Sequence, residues 1–259
     1  MKCVRYLAHL ILCLFAILTT SSIAQTSATT PEQAFDQAVI ANDKGDKSTA
    51  VRLFQQSCDG GDPRGCTELG VMHDNGDGVP QDKVRAAQLY QRGCDGGDPP
   101  GCTNLGVMYV KGEGVPQDKV RAAQLYQRGC DGGDLLGCAN LGSMYTKGEG
   151  VPQDKARAAQ LYQRACEGGD GLSCVRLGMM YANGDGVQED FAFAVEITAK
   201  ACDLKEAAGC LILGGIFESA GDPEMHALAI DAYTKAAEFD PHGELGQAAR
   251  EALARLTAD

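Results

Sequence analysis

The chain has 259 residues and carries 23 Lys and Arg against 35 Asp and Glu, a formal net charge of −12. That balance excludes the basic stripe of a nucleic-acid binder and disfavours adhesion to an anionic membrane surface. It favours solubility.

At the N-terminus, Lys2 and Arg5 precede an apolar run from Leu7 to Leu18, and small residues close the segment at Ser22-Ile23-Ala24. This is the pattern of a cleaved export signal over 1–24. The run is too short to span a bilayer, which takes about 20 residues. A periplasmic or secreted location is therefore expected. Cleavage would remove Lys2 and Arg5, leaving 21 basic against 35 acidic residues, a net −14, and would remove Cys3 and Cys13. Ten cysteines remain: Cys58, Cys66, Cys94, Cys102, Cys130, Cys138, Cys166, Cys174, Cys202 and Cys210. An even number at regular spacing behind an export signal reads as a disulfide framework.

Residues 25–62 read as a tail and a capping helix pair, because 31–62 resembles a copy of the repeating unit that lacks its first cysteine. Five units of 36 residues come next, at 63–98, 99–134, 135–170, 171–206 and 207–242. The last two diverge but keep the frame, and a fixed period of this length signals stacked supersecondary units. Each unit reads as two helices. In the second unit, Cys102, Leu105, Gly106 and Tyr109 form one stripe at i, i+3, i+4, i+7. Gly112 and Gly114 end that helix, Asp118 caps the next, and Ala122, Leu125, Tyr126, Gly129 and Cys130 form its buried face. Gly70, Gly106, Gly142, Gly178 and Gly214 recur inside the first helices. A mid-helix glycine costs about 1 kcal/mol against alanine, so five of them predict close helix–helix approach. Residues 243–259 read as a C-terminal capping helix, since a solenoid must cover its terminal apolar faces. The expected fold class is all-α, a solenoid of helix pairs.

Two pairings fit the cysteines. Pairing across the turn between units joins Cys58–Cys66, Cys94–Cys102, Cys130–Cys138, Cys166–Cys174 and Cys202–Cys210 and uses all ten. Pairing within a unit strands Cys58 and Cys210. The next couple in frame falls at Glu238 and Gly246, both lost together, which favours the first scheme. Zinc is disfavoured, since its cysteines sit two to four residues apart within a pair.

The segments GCTNLGVMY and GEGVPQDKVRAAQLYQRGC, with their copies, resemble the Sel1-like repeat, a relative of the tetratricopeptide repeat. The seven-residue gap between cysteines resembles the Hcp family, cysteine-rich Sel1-like proteins first described as β-lactamases. That resemblance implies a right-handed superhelix with a concave groove. It implies two functions, weak penicillin hydrolysis and the binding of protein or peptide partners.

The residues themselves offer no catalytic motif. No mature serine has a lysine three residues on, and Lys-Thr-Gly, Ser-Asp-Asn and Gly-x-Ser-x-Gly are absent. Histidines do not cluster for a metal, and no cofactor is implied. The Gly-Glu-Gly turns read as helix stops rather than phosphate cradles. Asp74-Asn75-Gly76-Asp77-Gly78 lacks the closing glutamate of a calcium loop. Tyr90, Tyr126 and Tyr162 read as core. Aligned on the tetratricopeptide pattern, the groove would be lined by Thr103, Val107, Val110 and Lys111, with Asn104 at the rim. The equivalents are Ala139, Asn140, Ser143, Thr146 and Lys147, then Val175, Arg176, Met179 and Asn183. By that likeness, Asn104, Lys111, Asn140, Lys147 and Arg176 would hold a peptide carboxylate. The expected function is an exported scaffold for protein or peptide partners, with slow hydrolysis of a β-lactam as the alternative.

Overall fold

The computed structural model describes residues 29–220 and 222–257; the expected signal over 1–24 lies outside them. The described residues form thirteen helices joined by short turns, without a strand. In chain order they are α1 (Pro31–Asp43), α2 (Lys47–Asp59), α3 (Pro63–Asn75), α4 (Lys83–Asp95), α5 (Pro99–Lys111), α6 (Lys119–Asp131) and α7 (Leu135–Lys147). Then come α8 (Lys155–Glu167), α9 (Gly171–Asn183), α10 (Phe191–Asp203), α11 (Ala207–Ala220), α12 (Pro223–Phe239) and α13 (Glu244–Leu256). Each helix packs on the next, and most first helices also touch the first helix one unit on, the pair Leu135–Lys147 and Gly171–Asn183 standing apart from this pattern. The result is an α/α solenoid.

Local chemistry sets the helix ends. Asp98 and Asp118 accept hydrogen bonds from the backbone N–H groups of Gly101 and Arg121, satisfying donors that the first turn leaves free. Gly112 closes α5 in the left-handed conformation at φ 72°. The expected stop carries a second device: Gln117 Nε2 donates to the Val110 carbonyl at 2.7 Å, and Gln81 and Gln153 repeat the bond to Asp74 and Thr146. The second glycine of each Gly-x-Gly turn has a separate task. A Cβ at Gly114 would collide with the Lys83 carbonyl one unit back, so this glycine lets the loop lie on the preceding helix pair.

The recurring mid-helix glycines do mark close approach. A Cβ on Gly106 would stand 2.7 Å from the Tyr126 ring, and one on Gly142 would stand 2.9 Å from Tyr162. Tyr90, Tyr126 and Tyr162 are buried. Burial pushes the Tyr126 hydroxyl up to about 12.

All five disulfides cross the turn between units as the spacing predicts, with Cα–Cα distances of 4.5 to 4.7 Å. Each ties the last turn of one second helix to the first turn of the next first helix, and all ten cysteines are buried. Where the sixth couple is lost, the Asp240 carboxylate accepts from the N–H groups of Leu245 and Gly246, both at 3.1 Å, and holds the turn before α13.

Charged side chains staple the units from outside. Lys83 reaches Asp74 and Glu113, Lys119 reaches Glu149, and Lys155 reaches Asp185. Arg92, Arg128 and Arg164 reach back to Asp59, Asp95 and Asp131. Arg121 and Arg157 lie over the rings of Tyr109 and Tyr145, each 4.7 Å from the centroid. Single exposed pairs of this kind contribute up to about 1 kcal/mol, so hydrophobic burial carries the fold and the ladders set the spacing.

Candidate functional site

The first helices present one face to solvent, and the sixth and thirteenth residues of each lie on it. In α5 these are Asn104 and Lys111, in α7 Asn140 and Lys147, in α9 Arg176 and Asn183. Lys111 and Lys147 are exposed, while Asn104, Asn140 and Arg176 are half-buried. Three expected groove residues belong elsewhere: Thr103, Ala139 and Val175 are all buried. Thr103 points at the second helix of its own unit, where a Cβ on Gly129 would collide with its hydroxyl. The tetratricopeptide alignment places these residues one helical step too far toward the face, because the second helix of the same unit covers that position.

Between α7 and α9 the face opens into a cleft of about 320 Å³. Ser143, Thr146, Lys147, Arg176, Met179 and Asn183 line it, six of the residues the sequence places on the groove. Lys111, Asn104 and Asn140 lie outside this cleft, on the same face toward the N-terminus. Sequence reasoning missed Tyr162 and Met180 in the cleft wall and Asp185 at its edge. Tyr162 reads as core because its spacing is that of the buried stripe; its ring is buried, yet its edge closes the cleft floor.

The electrostatics of the cleft are cationic in an acidic molecule. Asp185 is paired with Lys155 at 2.7 Å. Lys147 and Arg176 have no ion-pair partner among the described residues. The Arg176 guanidinium lies 5.6 Å above the Tyr162 ring, which fixes its direction without neutralising its charge. Thr146 Oγ1 donates to the Gly142 carbonyl at 2.9 Å and lies 3.5 Å from the Tyr162 hydroxyl. Asn183 Nδ2 donates to the Met179 carbonyl at 2.8 Å, leaving its amide oxygen free to accept. Two cations, hydroxyls, an amide and a methionine therefore converge on one small volume. This set has the chemistry to receive an anion with an apolar neighbour. No group of His, Cys, Asp and Glu among the described residues is arranged to hold a metal. No helix among them is long and apolar enough to cross a membrane.

Fold and site together define a disulfide-clamped α/α solenoid with a polar, cation-bearing face. The Sel1 repeat family model matches residues 43–62, 63–98, 99–134, 135–170 and 171–206, and the chain belongs to that family. Residues 207–242 lie beyond the match, although they keep Cys210 and Gly214 in frame. Over 68 residues the chain is 40% identical to "Putative beta-lactamase HcpD" of Helicobacter pylori, a stretch covering 26% of this chain and 22% of that protein. Among solved structures it is similar to c5321, a protective antigen of uropathogenic Escherichia coli with an SLR fold, at 27% identity and TM-score 0.74. The match covers 87% of this chain and 48% of c5321. A Sel1 repeat protein from Oxalobacter formigenes shares the fold at 24% identity and TM-score 0.72, over 86% of this chain and 99% of its own. Both structures share the solenoid fold that the resemblance implies. Five disulfides suit an oxidising, extracytoplasmic environment.

Proposed function

We propose that the protein is an exported scaffold that binds protein or peptide partners along its first-helix face. It takes a partner carboxylate at Lys147 and Arg176, with Lys111, Asn104 and Asn140 extending the contact toward the N-terminus. One observation carries this reading: the two cations of adjacent units meet hydroxyls and Met179 in one cleft while lacking ion-pair partners of their own. The lysines and arginines at the unit boundaries, by contrast, are engaged in staples. Crosslinked capture from the native compartment, followed by binding of the captured partner to purified protein, is the test. Lys147→Ala with Arg176→Ala should weaken that partner by about tenfold or more, as expected for two charge-assisted contacts. A partner held by this variant and by Lys111→Ala as tightly as by the unaltered protein refutes the face.

A second reading, hydrolysis of penicillin amides, has one observation in its favour: Ser143, Lys147 and Tyr162 line the same cleft. Acylation by a labelled penicillin that disappears in Ser143→Ala supports it. Protein that stays unlabelled and turns over no penicillin removes it.

A further inference from the structure

The first-helix face is not uniform along the solenoid. Its sixth-residue register runs Asp36, Glu68, Asn104, Asn140, Arg176, Ile212 from α1 to α11. Its thirteenth-residue register runs Asp43, Asn75, Lys111, Lys147, Asn183, Ser219. Both pass from acid through amide to base, and both end uncharged. Asp36, Asp43, Glu68, Lys111, Lys147 and Arg176 have no ion-pair partner among the described residues, in contrast to the paired charges that staple the units. Arg64, paired with Asp62 and lying over Phe35, is attracted to Asp36 from a distance; the charges on this face are otherwise unpaired and ordered.

Comparison of the units shows where this order arises. Residues 63–98 and 99–134 differ at six positions, and all six lie in the first helix or the turn after it. The second helices, Lys83–Asp95 and Lys119–Asp131, are identical, including exposed residues such as Val84 and Val120 that no staple uses. The next comparison is less confined: 99–134 and 135–170 differ in the second helix too, at Val120 and Ala156, Gly129 and Ala165, and Asp131 and Glu167. A ligand that repeats along the solenoid would ask for the same chemistry in every unit. This face instead carries acid, amide and base in turn, which suits a non-repetitive partner.

We propose that this face reads its partner by charge order. The ligand is an extended peptide segment with cationic side chains over α1 and α3, and a carboxylate beside an apolar side chain over α7 and α9. The proposal rests on the peptide-binding reading above and adds a direction to it. Glu68 supports the cationic end. Its carboxyl is held above the usual carboxylate range, first by burial and then by the negative charge of Asp98, so a cation placed over it relieves that repulsion. Met179 and the cations of the α7–α9 cleft supply the other end. The two ends are three units apart, about 30 Å at typical helix spacing, which about nine extended residues span.

The probe is a fluorescent peptide, Lys-Lys-(Ser-Gly)4-Leu-Glu, with a benzophenone at its lysine end, assayed at low salt by anisotropy and photo-crosslinking. It should bind and crosslink within 31–75. Lys147→Glu with Arg176→Glu, and separately Asp36→Lys with Glu68→Gln, should each weaken it by about tenfold, with helicity by circular dichroism unchanged. Crosslinks within 135–183 overturn the charge order. So does equal binding of an all-lysine or all-glutamate peptide, and so does an absence of binding. The scaffold reading is decided separately by the captured partner, so either can fail alone.

Discussion

At the residue scale, the first full unit carries one departure with a measurable consequence. His73 stands where the next units have Tyr109 and Tyr145 beneath an arginine. Burial, and then the nearby Arg85, hold the His73 imidazole below its ordinary pKa, against a smaller opposing pull from Asp82. A histidine depressed in the folded state binds its proton more readily when unfolded, so stability is full at neutral pH. It falls as pH drops below about 6.5 and levels once the folded imidazole is protonated. Urea melts between pH 5 and 8 should show this slope, and His73→Tyr should abolish it. The tyrosine should also gain about 0.5–1 kcal/mol at neutral pH by receiving Arg85 on its ring. An unchanged slope in the variant would place the pH dependence elsewhere. A second departure, Lys205, takes the left-handed conformation at φ 64° where its counterparts are Gly97, Gly133 and Gly169. The structure shows no compensating contact for it.

At the element scale, the helix pairs record coupled changes. Thr67 lies against Gly93 and Thr103 against Gly129, where a Cβ would collide with the threonine hydroxyl. The next unit has Ala139 with Ala165, so the hydroxyl and the glycine are exchanged together. Gly129→Ala alone should overpack this contact and cost about 1–3 kcal/mol. Adding Thr103→Ala should recover most of the loss, giving a coupling of about 1 kcal/mol or more in a double-mutant cycle. Additive losses would show that the two side chains do not share the space. The Tyr126–Gly106 contact obeys the same logic, since the ring occupies the volume a Cβ would take.

Over the whole molecule, stability is shared between neighbouring units, as in any solenoid whose repeats touch only the next. Each of the five clamps closes a loop of sequence separation 8. The chain-entropy estimate gives about 2.5 kcal/mol apiece, whatever the position. Position decides cooperativity instead. Cys130→Ser with Cys138→Ser lies mid-chain and should split the urea transition into two halves, while Cys202→Ser with Cys210→Ser should loosen only the C-terminal end. Hydrogen exchange resolved by unit reads the difference; equal loss in every unit from either variant would contradict nearest-neighbour coupling. The same separation of roles holds for charge. Paired charges set the spacing of the units, and the unpaired series along the first helices remains free for a ligand.

The period, the two-helix unit, the helix ends at Gly112 and Asp118, and the five disulfides are all legible in the primary structure. Each is a local or short-range matter: a cap, a left-handed glycine, an apolar stripe, seven residues between paired cysteines. Helical spacing also places Ser143, Thr146, Lys147, Arg176, Met179 and Asn183 on a common face, because it dictates which residues share a side. Packing of the folded chain takes Thr103, Ala139 and Val175 off that face, since the second helix of their own unit buries them. Packing likewise brings Tyr162 to the cleft floor and removes Asp185 from play by pairing it with Lys155. Such outcomes depend on contacts between residues 16 to 30 positions apart. A charge visible in the sequence is available to a ligand only where the folded neighbours leave it unpaired. That is why Lys119 and Lys147, alike as residues, serve here as a staple and as a candidate ligand contact.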